Sequence, residues 1–81
     1  MAITGVVILV EPNKAEEILY EVSHLDDVTT YGLHKENNIV AVIEGENSKN
    51  LENKINQIKD KIDGILGIFP AYANYEEEID E

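Results

Sequence analysis

Residues 3–10 (ITGVVILV) are apolar and β-branched without interruption after Gly5, the pattern of a strand buried in the middle of a sheet. The next stretch, EPNKAEEILYEVSHL, changes period. Ala15, Ile18, Leu19, Val22 and Leu25 recur at three- and four-residue steps, and Pro12 with Asn13 suits a helix start, so an amphipathic helix is predicted. Residues 27–34 (DVTTYGLH) are rich in β-formers, KENN is a polar turn, and residues 38–48 (NIVAVIEGENS) return to strand character, which predicts an antiparallel hairpin. Asn47 or Ser48 then caps a second helix. Its stripe is Leu51, Ile55, Ile58 and Ile62, and Asp63-Gly64 ends it. A fourth strand is expected over residues 65–72 (ILGIFPAY), at a sheet edge where the missing donor of Pro70 is harmless.

The order β-α-β-β-α-β describes an α+β, ferredoxin-like sandwich: one four-stranded antiparallel sheet with both helices on one face. Two amphipathic helices offer two apolar stripes, and both are used on that face. NIVAVIEGENS, however, is apolar on both of its faces. Keeping charge away from the helices places Ile39, Ala41 and Ile43 against them and leaves Val40, Val42 and Glu44 on an open face. The same reasoning puts Val7 and Leu9 of the first strand, with Thr29, Tyr31 and Leu33 of the second, on that open face. Gly67 and Pro70, either of which can introduce a bulge, leave the phase of the fourth strand open.

A chain of 81 residues has room for one small core, so a single domain over residues 1–75 is expected, followed by an acidic tail over residues 76–81. The absence of cysteine excludes disulfides, thiolate metal sites and a Cys nucleophile, and it permits a reducing cytoplasm. No stretch reaches the roughly 18–20 apolar residues that span a bilayer, and the first ten residues lack the basic start of a secretory signal. A soluble protein without membrane insertion is expected. With 17 acidic against 6 basic side chains the formal charge is -11, which repels nucleic acid and anionic membranes and favours a basic partner.

Catalytic inventory is thin. His24 and His34 are the only imidazoles, one at a helix end and one beside a turn, and neither has a motif partner. No Gly-rich phosphate loop and no calcium loop is present, so no enzyme, metal or cofactor is expected. RNA recognition on such a sheet needs aromatic residues on its central strands and surrounding Lys or Arg, and the first and third strands have no aromatic residue. An aliphatic sheet face left bare marks an interaction surface, for a second copy or for a foreign apolar peptide whose basic groups meet the acidic rim. A monomer or weak homodimer is the expected state.

IVAVIEGENS between hairpin and helix, DGILGIFPAY after that helix and GVVILVEP at the start, with their spacing, the small size and the acidic tail, together resemble the NapD family. That family comprises cytoplasmic assembly chaperones for periplasmic nitrate reductase. The resemblance covers residues 3–72 and implies a protein that binds the twin-arginine signal peptide of the nitrate reductase catalytic subunit, holding the precursor in the cytoplasm while its molybdenum cofactor is inserted. By position, Glu44 corresponds to the acidic residue that ends the family's third strand and Tyr72 to the aromatic that ends its fourth. The signal-peptide-binding residues expected from face and position together are Val7, Leu9, Tyr31, Val40, Val42, Glu44 and Tyr72. Tyr31 and Ala73 stand where many family members carry histidine, so the resemblance implies no imidazole role at either place. The small ligand-binding, dimerising module of leucine-responsive regulators has the same element order and is the alternative. The DNA-binding segment it normally follows and its Gly-Asp loop pattern are not seen in this sequence.

Overall fold

The structure is a computed structural model that describes residues 1–75, with side chains described for residues 1–71. The acidic tail expected over 76–81 and the side chain of Tyr72 lie outside the described residues. The elements follow the predicted order: β1 (Ala2–Val10), a 3-10 turn (Pro12–Lys14) running into α1 (Ala15–Ser23), β2 (Val28–His34), β3 (Asn38–Gly45), α2 (Ser48–Lys61) and β4 (Ile65–Tyr75). All pairings are antiparallel and the sheet order is β2-β3-β1-β4. The longest apolar run thus sits inside the sheet, and the strand with Pro70 sits at its edge.

Alternation along β1 sends Ala2, Thr4, Val6, Ile8 and Val10 to the helix side, where all five are buried. Ile39, Ala41 and Ile43 of β3 join them, as the sequence predicts. Ala15, Ile18 and Val22 from α1 and Leu51, Ile58 and Ile62 from around α2 close this single core. α1 ends at Ser23, so Leu25 follows the helix rather than extending its stripe. Asn37, in the hairpin turn, donates from Nδ2 to the Val10 carbonyl at 3.1 Å and accepts the Val10 N–H at 3.0 Å, which ties the turn to the end of β1.

Local chemistry fixes the helix ends. Asn47 has an extended backbone and its side chain accepts the Asn50 N–H at 2.8 Å, satisfying a donor that the first turn of α2 would leave unpaired. Asn47→Ala is expected to cost about 1 kcal/mol. In urea unfolding this appears as a lower midpoint with an unchanged slope, and an unchanged midpoint would show that the cap contributes nothing. Beyond α2, Gly64 takes φ +102, and a Cβ there would lie 2.9 Å from both Ile18 Cδ1 and Lys14 Cδ. Glycine is therefore required twice over, for conformation and for space.

The neighbouring Lys14–Asp63 ion pair is 2.8 Å long. Its hydrogen bond, and then the attraction between the charges, hold Asp63 below the ordinary carboxyl value and Lys14 above the ordinary amine value. The stabilisation is present through neutral pH, fading in acid as Asp63 protonates and in base as Lys14 deprotonates. Both groups face solvent, so salt weakens the contribution.

Two strands depart from simple alternation. On β2 the register slips between Thr30 and Leu33, where Tyr31 and Gly32 intervene and Gly32 takes φ +95. Thr30 pairs with Ala41 and Leu33 with Ile39, both on the helix side. Leu33 therefore packs against the core, and its expected place on the open face is corrected. On β4 the register slips twice, leaving Leu66 and Ala71 as the extra residues. These slips set the phase that the sequence left open: Ile68 pairs with Ile8 on the helix side, and Phe69 pairs with Val7 on the other.

Candidate functional site

The face turned away from the helices is laid down by the same alternation that builds the core. Ile3, Gly5, Val7 and Leu9 of β1 lie beside Glu44, Val42, Val40 and Asn38 of β3, respectively. On the opposite flank of β1, Phe69 pairs with Val7 and Gly67 with Leu9. Val40, Val7 and Phe69 thus form one row across three strands. None of the open-face residues belongs to the buried cluster or to the apolar residues packed against it. The result is a continuous aliphatic strip, half-buried by its own neighbours, along the two central strands.

Glu44 ends this strip, and its backbone is held from both sides. Its N–H donates to the Asp27 carbonyl at 2.9 Å, and its carbonyl accepts from Lys54 Nζ at 2.9 Å. Lys54 is itself paired with the Asp27 carboxylate at 2.7 Å. Asp27 makes these contacts from a left-handed backbone with φ 67, at the tight entry to β2. Lys54 is thus engaged by Asp27, and no ion pair to Glu44 or Glu46 is formed among the described residues. Both carboxylates line an open depression at the end of the sheet. The site therefore offers an apolar strip with the carboxylates of Glu44 and Glu46 at one end.

Five of the residues expected from sequence, Val7, Leu9, Val40, Val42 and Glu44, fall on this one surface. Tyr31 lies at the β2 bulge and is 62% exposed. The backbone of Tyr72 pairs with Gly5. Sequence reasoning missed Ile3 and Phe69. Ile3 was within reach, because it shares the parity of Val7 and Leu9. Phe69 was not, because its side of the sheet depends on the slips at Leu66 and Ala71.

Among the described residues no group of three or more His, Asp and Glu could hold a metal ion. His24 lies at the end of α1 with Nδ1 2.8 Å from the Tyr20 carbonyl, and His34 pairs with Asn38 at the hairpin end, so the two imidazoles form no joint site. No helix among the described residues is long and apolar enough to cross a membrane. What the open face can do is make contacts: bury apolar area and attract positive charge.

The family model described as NapD protein matches residues 1–77. Among solved structures, the chain is similar to the solution structure of the E. coli Tat proofreading chaperone protein NapD, with a TM-score of 0.76 and 18% sequence identity. The similarity covers 98% of this chain and 83% of that one. A search of curated proteins finds no sequence match. The structural likeness establishes the fold, and the family match spans every described element.

Proposed function

The chain belongs to the NapD family, and from that premise we propose that it is a non-enzymatic assembly chaperone whose open sheet face binds a twin-arginine signal peptide. The precursor it serves is the catalytic subunit of a periplasmic nitrate reductase, retained in the cytoplasm during cofactor insertion. The observation that carries this reading is the aliphatic strip of Val7, Leu9, Val40 and Val42 ending at Glu44. A signal peptide brings an apolar stretch and two arginines, and the face presents the complement of both. The structural relative, described as a Tat proofreading chaperone, supports the same role. Membership of this family also sets aside the ligand-binding regulator as an alternative.

The mode of binding follows from the sheet edges. A peptide that added as a strand would need a regular free edge, but β2 carries the Tyr31–Gly32 bulge and β4 carries two bulges and Pro70. The peptide accordingly lies across the face, where a helix can present its own apolar side. Residues 1–75 form the binding unit. Self-pairing through the face would bring together two copies that each carry a formal charge of -11, which favours the monomer.

Titration with a twin-arginine signal peptide is expected to perturb the amide resonances of Val7, Leu9, Val40 and Val42. No change at these positions would refute the reading. Glu44→Lys is expected to weaken binding about five- to tenfold at low ionic strength and less than about twofold at ~0.5 M salt, because a rim charge acts through a screened field. Equal affinity at low salt would remove Glu44 from the site.

A further inference from the structure

Phe69 is the only phenylalanine in the chain, and it is 55% exposed although it stands in a β-strand beside Val7. Its ring is nevertheless placed. A Cβ built on Gly67 would lie 2.8 Å from Phe69 Cζ and 2.9 Å from Cε2, so the ring lies over Gly67. The positive-φ glycines are Gly32 and Gly64, and Gly67 is not among them. What glycine supplies at position 67 is therefore room for the ring, not backbone freedom. Gly67 pairs with Leu9 and Phe69 with Val7, which puts the ring along the β4 border of the aliphatic strip.

Tyr31 stands at the opposite border, on β2. Three inter-strand spacings separate β2 from β4, about 14 Å at ~4.8 Å each. An α-helix with its side chains is about 10–12 Å across. The span from β2 to the Phe69 ring is thus about as wide as a single helix.

We propose that Phe69, seated by Gly67, is the β4-side wall of the peptide site and selects for one apolar helix laid along β1 and β3. The proposal rests on the signal-peptide reading above, and it adds a specificity-determining residue and a positioning residue. Phe69 touches the apolar side of the peptide. Gly67 acts through Phe69 by leaving the space that the ring occupies.

The experiment uses the full chain labelled with 4-fluorophenylalanine, which gives one fluorine resonance. Gly67→Ala is expected to shift that resonance in the free protein and to lower affinity for a twin-arginine signal peptide about three- to tenfold. Phe69→Ala is expected to lower affinity about tenfold with an unchanged melting temperature, and Phe69→Leu to recover part of the loss. Adding Gly67→Ala to Phe69→Ala should cost nothing more, since the two act as one unit. Full affinity in Phe69→Ala, or an equal Gly67→Ala penalty with and without the ring, overturns the proposal while leaving the signal-peptide reading intact. A wild-type protein that ignores the peptide overturns that reading, and the wall with it.

Discussion

With Val7 replaced by aspartate, affinity for a twin-arginine signal peptide is expected to fall at least about a hundredfold, equivalent to about 2.7 kcal/mol, while the protein stays folded. Val7 is the middle of the row, with Val40 on one side and Phe69 on the other. In the free protein a carboxylate there stays hydrated. Beneath a docked apolar segment it would lose water with no cation to replace it, because Lys54 sits at the far end of the strip and is held by Asp27. The cost to the free fold is smaller, about 1 kcal/mol for a poor β-former in a strand. Val7→Thr keeps the branched shape without the charge and should lose far less affinity. Isothermal titration of both variants, with circular dichroism to confirm folding, makes the comparison, and an aspartate variant that is folded and binds normally would show that the strip is not the contact surface.

Ile8→Ala is expected to have the largest effect on stability, about 2–5 kcal/mol. Ile8 is 0% exposed and is paired with Ile39 on one side and Ile68 on the other. Truncating it removes contacts with both neighbouring strands and leaves a void between sheet and helices. A domain of this size has roughly 4–12 kcal/mol of total stability, so the variant loses a large share of it. At ~4–8 °C per kcal/mol, the melting temperature should drop by at least ~8 °C. Urea unfolding gives the direct measure, and a loss below ~1 kcal/mol would mean the core relaxes to fill the void. The contrast between residues 7 and 8 is instructive. Adjacent side chains on one strand divide binding from folding because they point to opposite faces.

The architecture was legible because it depends on periodicity, and β1 alternates over its whole length and β3 from Asn38 to Glu44. Requiring charge to avoid the helices was enough to orient β3, and the same reasoning oriented β1. The same rule failed on β2, where Gly32 turns the backbone to positive φ and reverses the parity of Leu33. Glycine inside a strand is the sequence signal of such a place, though it cannot say which residue becomes the extra one. On β4, Gly67 and Pro70 warned of irregularity, but the slips fall at Leu66 and Ala71, residues of no special character. Phe69 was hidden for that reason. The spacing of two puts Gly67 and Phe69 on one face, but the seating of the ring over the glycine is visible only in three dimensions.

The position of β1 between β3 and β4 also bears on how the protein reaches its native state. The hairpin of β2 and β3 closes over a short turn, whereas the β1–β4 ladder joins partners from Val10 and Ile65 out to Ala2 and Tyr75. Such pairings carry the greatest loop-closure entropy, so that ladder is expected to zip late and to set the folding rate. Until it does, one flank of β1 presents unpaired peptide groups beside Val6 and Ile8, an adhesive edge available to any other chain in the same condition. The native protein shields that edge with a strand drawn from the far end of the sequence, and its hazard of aggregation is concentrated in the interval before that strand arrives.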